Sequence, residues 1–242
     1  MQRVKEQDER TVNKVLVFDI LDFETQIASI FSGFSDKWVE QLGSMSNQEQ
    51  LSQLGSLFKV IHFSVHGVID QRNPYRSSLS LRPFEQDSIL YLRELYELSI
   101  PADLVVTSAC SAGLGKLHHR GRGMLSIAQG FAYAGTRSLI TTLWPIEDGS
   151  TGKILRDFYE RLANEGKKGM SLSMAKRNYL NNSGVDDGFS HPYYWAGLIT
   201  IGDTSTIHID SASLSHRVYW IFGVIIIFFI LQRIAANRKQ AR

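Results

Sequence analysis

The chain has 242 residues, 43% of them hydrophobic and 21% charged, which is enough apolar material for one sizeable domain with a buried core. The formal net charge is only +2, so no strong positive field indicates a nucleic-acid partner. Cys110 is the single cysteine, which excludes a disulfide within the chain and fits a reducing compartment. Any thiol chemistry therefore has one candidate.

Short apolar runs alternate with helical patterns along the chain. The runs predicted as strands are residues 14–20, 58–65, 103–109, 138–144 and 195–201. Apolar residues at helical spacing occur between them, first at Met124, Ile127, Ala128, Phe131 and Ala132, then at Ile154, Leu155, Phe158 and Leu162. Strands interleaved with helices predict an α/β fold of three layers, with a mostly parallel central sheet covered on both faces.

Two irregular stretches interrupt this alternation. Residues 68–84 follow the second predicted strand and are predicted as a loop with a short hairpin, while residues 111–123 form a glycine-rich loop after the third. In an open α/β sheet, ligands bind outside the carboxyl ends of the strands, where both stretches are expected to lie. His118 and His119 have no cysteine or carboxylate at ligand spacing, so no metal site is predicted.

His66 and Cys110 are the candidates for catalysis. Each follows a predicted strand and precedes a small residue, and their spacing is close to the roughly 50 residues that separate histidine and cysteine in one class of thiol protease. Such a protease needs a reactive thiolate, an imidazole to move the proton, and donors for the oxyanion. The backbone N–H groups of Gly67 and Cys110 are candidate donors. The alternative is that the cysteine is a small buried apolar residue and the histidine is structural.

Several segments occur in one order along the chain and closely resemble the CHAT domain, a branch of the caspase/separase clan that is often attached to TPR repeats. They are Phe-Ser-Val-His-Gly at 63–67, Ser-Leu-Ser-Leu at 78–81, Ser-Ala-Cys-Ser-Ala-Gly at 108–113, Gly-Phe-Ala-Tyr-Ala-Gly at 130–135, Ser-Leu-Ile-Thr-Thr-Leu-Trp at 138–144, and His-Pro-Tyr-Tyr-Trp-Ala-Gly at 191–197. The resemblance covers roughly residues 25–203. It implies the caspase–haemoglobinase fold, peptide-bond hydrolysis without a cofactor, and catalytic roles for His66 and Cys110.

The resemblance also bears on the substrate pocket. Asp19 ends the first predicted strand, a place that in caspase-clan folds lies near the pocket for the residue before the cut. Relatives that prefer basic residues carry an acid two positions before the cysteine, so Ser108 argues against a strict Arg/Lys preference. Asp148 is predicted as a capping or first-turn acid, with lining of the cleft as the alternative. Ala112 and Arg122 replace the threonine and glutamate usual in the family, which affects the expected substrate preference more than activity.

The composition changes after Asp203, where the predicted protease domain (residues 1–203) ends. Residues 204–216 are polar and predicted as a linker, and residues 218–231 carry no charge. A run this short is often a core helix or an interfacial segment. Tyr219 and Trp220 at one end and a basic tail at the other nevertheless favour a single membrane-spanning helix over about 218–236, within the segment 217–242.

The orientation in the membrane rests on conflicting signals. The basic tail would place the C-terminus in the cytoplasm by the positive-inside rule. The first ten residues lack the apolar stretch of a secretory signal, and the lone thiol also favours a protease domain in the cytoplasm.

The sequence therefore predicts a membrane-tethered cysteine endopeptidase of the caspase-like CHAT type. It is expected to cleave a protein substrate in a regulated signalling or defence response, after activation by a partner protein. The alternative is a catalytically idle CHAT-like membrane scaffold or interaction module. Retention of both His66 and Cys110 disfavours that alternative.

Overall fold

The computed structural model describes residues 12–19, 30, 39–42, 51, 53, 55–70, 72–81, 89–108, 127–144, 146–181 and 188–207. The chain divides into two compact units, Met1–Asp210 and Ser211–Arg242, and every described residue belongs to the first. The membrane helix predicted at about 218–236 and the basic tail lie outside the described residues. In the part of the chain that is described, no helix is long and apolar enough to cross a membrane.

The named strands and α-helices of the described part are as follows, with the helices lying between strands from residue 89 onward. The strands are β1 (Val12–Asp19), β2 (Val39–Leu42), β3 (Phe58–Ser64), β4 (His66–Val68), β5 (Ser78–Ser80), β6 (Ile89–Tyr91), β7 (Leu104–Thr107), β8 (Ser138–Thr142) and β9 (Leu198–Gly202). The α-helices are α1 (Leu92–Leu95), α2 (Ile127–Tyr133), α3 (Asp148–Glu165) and α4 (Lys168–Asn181), with 3₁₀ turns at Pro74–Arg76 and Pro192–Tyr194.

Six strands form the central sheet in the order β2-β1-β3-β7-β8-β9. All neighbouring pairs are parallel except β8 and β9, which are antiparallel. The prediction of an α/β fold with a mostly parallel sheet is confirmed. The parallel strands end at one carboxyl edge, and β9 begins there, because Thr142 pairs with Leu198.

Apolar residues fill both faces of this sheet. Alternate side chains of a strand point to opposite faces, so Val15 and Val17 join one core and Leu16 joins the other. The first core is completed by α3 and α4, and the second by α1 and α2. Of the residues predicted at helical spacing, all four in α3 are buried, as are Ile127, Ala128 and Phe131 in α2. The prediction was wrong for Ala132, which is exposed, and Met124 lies outside the described residues.

A small antiparallel sheet of β4, β5 and β6 follows the end of β3. The predicted loop at 68–84 therefore contains part of a hairpin, whose strands pair His66 with Ser80 and Val68 with Ser78. The histidine is the first residue of β4, after a bend at Val65, rather than the end of a long apolar strand. The position of His66 is therefore set by its backbone pairing in the small antiparallel sheet.

The last strand begins later than the sequence indicated. The segment Pro192–Tyr194 is a 3₁₀ turn, and the backbone N–H groups of Trp195 and Ala196 donate to the carbonyl of Pro192 at 3.3 and 2.8 Å. These bonds keep residues 195–197 out of the ladder, so β9 starts at Leu198.

Candidate active site

The predicted catalytic histidine lies at the carboxyl edge of the central sheet. It opens β4 two residues after the end of β3, and its side chain is exposed. Gly67 follows it, half-buried and paired with Leu79 across the hairpin. The imidazole of His66 is therefore anchored through the backbone of a small sheet and is open to a ligand approaching that edge.

Cys110 lies outside the described residues, but the strand that leads to it is described. The ladder between β3 and β7 continues one residue past β7, because the N–H of Ser108 donates to the carbonyl of Phe63 at 3.1 Å. Phe63 lies three residues before His66, and Ser108 lies two residues before Cys110. The fold thus brings the two strand exits side by side. The catalytic roles of His66 and Cys110 remain predictions.

The N-terminus of α3 reaches the same edge. Glu147 caps the helix, accepting hydrogen bonds from the backbone N–H groups of Gly149 at 2.8 Å and Ser150 at 2.6 Å. Asp148 is the first helical residue, so it is the first-turn acid that the sequence indicated, while the cap itself is Glu147.

The pKa of the Asp148 carboxyl is affected by His66. Burial raises the pKa of this carboxyl, the charge of Glu147 raises this pKa further, and the electrostatic interaction with His66 lowers it. Asp148 is therefore within electrostatic range of His66, as the cleft-lining alternative requires.

The two other pocket candidates are placed by the backbone. Asp19 ends β1 with its backbone paired to Ser64, so it lies beside the end of β3. Ser108 follows β7 on the other side of β3 and is half-buried. In sheet order, Asp19 and Ser108 flank the exit of β3 from opposite sides.

A buried polar chain lies directly beneath these exits, and sequence reasoning missed it. His62 is fully buried in β3, with Nδ1 2.8 Å from the hydroxyl of Tyr159 and Nε2 3.4 Å from Oγ of Ser108. Burial lowers the pKa of His62 to about 3, and burial raises the pKa of the Tyr159 phenol well above its ordinary value. Both groups are therefore neutral near pH 7. The available signal was a histidine between the apolar residues Ile61 and Phe63 of a strand.

Aromatic side chains border the same edge beside β8 and β9. The indole N–H of Trp144 donates to the carbonyl of Tyr193 at 2.9 Å, and that of Trp195 donates to the carbonyl of Ser190 at 3.0 Å. Both indoles pack partly against the core. Trp195 therefore packs at the edge of the sheet, whereas Tyr193 is 47% exposed.

Among the residues that the structure describes, no group of three or more His, Cys, Asp or Glu side chains could hold a metal ion. His118 and His119 lie outside the described residues.

Two solved structures share this architecture. The complex of the pro- and mature domains of RgpB from Porphyromonas gingivalis covers 84% of this chain and 50% of its own, with a TM-score of 0.53 and 12% identity. The Arg-specific cysteine proteinase gingipain R covers 84% of this chain and 49% of its own, with a TM-score of 0.54 and 11% identity. At these identities the likeness concerns the fold. The fold is the α/β fold of the caspase-like cysteine proteases.

The family is narrower than the fold. Residues 5–203 match the model of the CHAT domain, and the chain belongs to the CHAT domain family. Human tetratricopeptide repeat protein 28 is 27% identical over 136 residues, which are 56% of this chain and 5% of that protein. The chain thus corresponds to a small part of that relative's length.

Proposed function

We propose that this CHAT domain is a cysteine endopeptidase in which Cys110 is the nucleophile and His66 is the general acid–base. One observation carries the proposal: the exits of β3 and β7 are hydrogen-bonded side by side, with an exposed histidine just past one and the single cysteine just past the other. The caspase-like fold of this chain is a scaffold that cysteine proteases use.

The proposed reaction follows from the chemistry of these groups. The Cys110 thiolate attacks the scissile carbonyl, and His66 gives a proton to the leaving amine. The backbone N–H groups of Gly67 and Cys110 hold the oxyanion that develops on the carbonyl oxygen. Water then attacks the thioester, with His66 accepting a proton from the water, and the free thiolate returns.

Three residues are proposed to line the substrate pocket. Asp148 is the best supported, because its carboxyl is within electrostatic range of His66. Asp19 and Ser108 are supported by their places on either side of the β3 exit. The Ser108 hydroxyl carries no formal charge and is already engaged with Phe63, so it offers no anion to bind a basic side chain.

The cellular setting is also a proposal. The apolar residues 218–231 support a membrane tether, with the protease domain in the cytoplasm. Regulated cleavage of a protein substrate in signalling or defence, after activation by a partner protein, is supported by the family resemblance. The second candidate function, an idle membrane scaffold, has no specific structural observation in its favour.

The test is cleavage of a peptide library by the full-length chain in its activated form. Cys110→Ala is expected to lower the rate of the preferred cleavage by at least about 10²-fold, because it removes the nucleophile. Ser80→Ala is the matched control, since it changes an equally small side chain opposite His66 in the hairpin. Activated Cys110→Ala protein that cleaves at the wild-type rate would exclude the cysteine-protease mechanism.

A further inference from the structure

The contacts of the buried chain Tyr159–His62–Ser108 fit an arrangement of protons in which each polar contact has one donor. In this arrangement the Ser108 hydroxyl donates its single proton to the carbonyl of Phe63 at 3.4 Å and accepts from His62. The Nε2 atom of His62 therefore carries a proton and donates to Ser108. In a neutral imidazole the other nitrogen is then an acceptor, and the Tyr159 hydroxyl donates to Nδ1 at 2.8 Å.

This chain connects a helix to two strands of the central sheet. Tyr159 lies on α3, His62 and Phe63 lie on β3, and Ser108 lies just beyond β7. The contacts beneath the edge therefore join the helix to the exits of both strands. The rings of His62 and Tyr159 also stack, with centroids 5.8 Å apart, which restricts the imidazole.

The location argues for a role beyond packing. A polar side chain buried in a core strand lowers stability unless it is hydrogen-bonded, and an apolar residue would fill the same place without that requirement. Here the polar contacts run from Tyr159 through His62 to Ser108, beside the ends of β3 and β7. These are the two strands that precede His66 and Cys110. Catalytic groups must be held to within about 0.5 Å of their working geometry, which requires supporting contacts of this kind.

We propose that His62 is a positioning residue, which Tyr159 orients and which fixes the β7 exit at Ser108 against the β3 exit, so that Cys110 meets His66. The inference rests on the proposed function. His62 itself does not touch the substrate. It acts as a neutral imidazole with its proton on Nε2, donating to Ser108 and accepting from the tyrosine hydroxyl.

The main variant is Tyr159→Phe, which removes one hydroxyl and keeps the ring in the core. The matched control is Tyr179→Phe: Tyr179 is also buried on the same face, but its hydroxyl bonds to Ser150 at 2.9 Å and so joins α4 to α3 rather than α3 to β3. Ser108→Ala removes the contact between His62 and Ser108 without changing the hydrophobic core. It provides a second test if the Tyr159→Phe variant does not fold.

Three readouts are compared in the full-length protein. Tyr159→Phe is expected to lower kcat by about tenfold or more with KM little changed, since a small misplacement of reacting groups affects the chemical step. Ser108→Ala is expected to lower kcat to a similar extent, and its KM can change as well because Ser108 is a proposed pocket residue. Both should also slow iodoacetamide labelling of Cys110, whose thiolate His66 stabilises only at short range. Nitrogen NMR of the wild-type protein at pH 7 should show His62 as the Nε2–H tautomer.

The conservative variant His62→Gln adds a rescue test. Its amide can accept from Tyr159 and donate to Ser108, so it should retain more kcat than His62→Leu, which can do neither. A purely structural role predicts no advantage for the glutamine, because leucine is the better core residue.

The outcomes separate the two proposals. If wild-type protein cleaves nothing and His66→Ala leaves the labelling rate of Cys110 unchanged, the proposed function fails. The labelling rates of Tyr159→Phe and Tyr179→Phe and the NMR tautomer need no cleavage and still test the positioning. Equal behaviour of Tyr159→Phe, Ser108→Ala and Tyr179→Phe, or a His62 tautomer protonated on Nδ1, would overturn the inference.

Discussion

Gly197 lies so close to the indole of Trp144 that a Cβ atom at position 197 would be 2.8 Å from Cε2 of the ring and 2.7 Å from Cδ1 of Ile146. The carbonyl of Gly197 also accepts a hydrogen bond of 2.9 Å from the N–H of Leu143, which ties the start of β9 to the end of β8. The backbone at Gly197 therefore cannot move away from the indole without losing this hydrogen bond. Trp144 is held in place by a residue without a side chain.

Gly197→Ala is accordingly expected to destabilise the fold. The added methyl group must displace the indole or the isoleucine, and overpacking of this kind costs about 1–3 kcal/mol. Urea denaturation measures the loss of unfolding free energy. Gly188→Ala is the control, because a Cβ at Gly188 meets nothing within 4 Å. Equal stability of the two variants would contradict the close packing at Gly197.

The buried histidine predicts how stability depends on pH. The pKa of His62 is about 3 in the folded protein, because burial disfavours the charged ring, against an ordinary value of 6.5. Above about pH 6.5 the ring is neutral in both states and adds no pH dependence. As the pH falls from there toward 3, the unfolded chain takes up a proton that the folded chain does not. The unfolding free energy should therefore decrease, by about 1.4 kcal/mol per pH unit.

His62→Gln tests this dependence by removing the titrating group. Tyr159, which faces His62, stays protonated in this range because burial raises its pKa well above the ordinary value. Urea denaturation between about pH 5 and 7 avoids most carboxylate titration. The slope of unfolding free energy against pH should be smaller for His62→Gln than for the wild type. Identical slopes would show that His62 is not buried as a neutral ring.

The side chain of Glu147 caps α3, and its removal is expected to lower the unfolding free energy. Glu147 accepts hydrogen bonds from the N–H groups of Gly149 and Ser150 and from the Ser150 hydroxyl at 2.7 Å. Burial works against its ionisation, but these bonds prevail and the pKa of Glu147 is lowered. Glu147→Ala should cost about 0.5–2 kcal/mol of unfolding free energy, as the loss of other helix caps does.

Glu160→Ala is the matched control on the same helix. Glu160 makes an exposed ion pair with Arg156 at 3.2 Å, and pairs of this kind contribute only about 0.3–0.5 kcal/mol. Thermal unfolding of both variants shows the difference. A Glu147→Ala variant no less stable than Glu160→Ala would mean that the cap contributes little.

Much of the central sheet could be predicted from the sequence because β1, β3, β7 and β8 are rich in apolar and β-branched residues. β3, β7 and β8 are buried on both faces, so their composition alone distinguishes them from loops. β2 and β6 have four and three residues, too few to establish a period, and they form only because β1 and β5 offer paired edges. Short strands depend on their neighbours rather than on their own pattern.

The candidate site likewise contains residues that could be predicted from the sequence and residues that could not. His66 and Cys110 could be proposed from the sequence because each is a reactive residue beside a recognisable strand. The contact between His62 and Tyr159 joins residues 97 positions apart, and nothing near either residue in the sequence indicates it. Likewise, the approach of Asp148 to His66 depends on the path of α3 across the sheet. Residues that support a site only through contacts with residues distant in the sequence can be identified only once the fold is known.

The proposed membrane tether predicts how the chain partitions. Full-length protein should sediment with membranes and resist carbonate washing, whereas a chain ending at Asp210 should be soluble. The shorter chain should end at 210 and not at Asp203, because Ile207 is buried and its N–H donates to the carbonyl of Gly166 at 2.8 Å. Replacing Ile226 and Phe228 with arginine in the full-length chain is a second disruption. Release of the wild-type chain by carbonate would reduce the segment to a peripheral contact.

The proposed catalytic pair predicts a specific pattern of mutant effects. Cys110 and His66 act on the same proton, so each side chain is of little use without the other. Cys110→Ala and His66→Ala should each remove most of the cleavage, and the double variant should be scarcely slower than either single one. A lost proton shuttle alone typically costs about 10²- to 10⁴-fold in rate. The rates are measured as kcat/KM on the best library peptide, with the activated full-length protein.

His191→Ala is the control for the histidine. His191 is exposed, and its Nδ1 accepts a hydrogen bond of 3.2 Å from the N–H of Tyr193 at the 3₁₀ turn, so its loss should leave the chemical step intact. If the single effects of Cys110→Ala and His66→Ala multiplied in the double variant, the two side chains would be acting independently. An imidazole that serves the thiol cannot give that result, and His66 would then have to be reassigned to substrate binding while another group moved the proton.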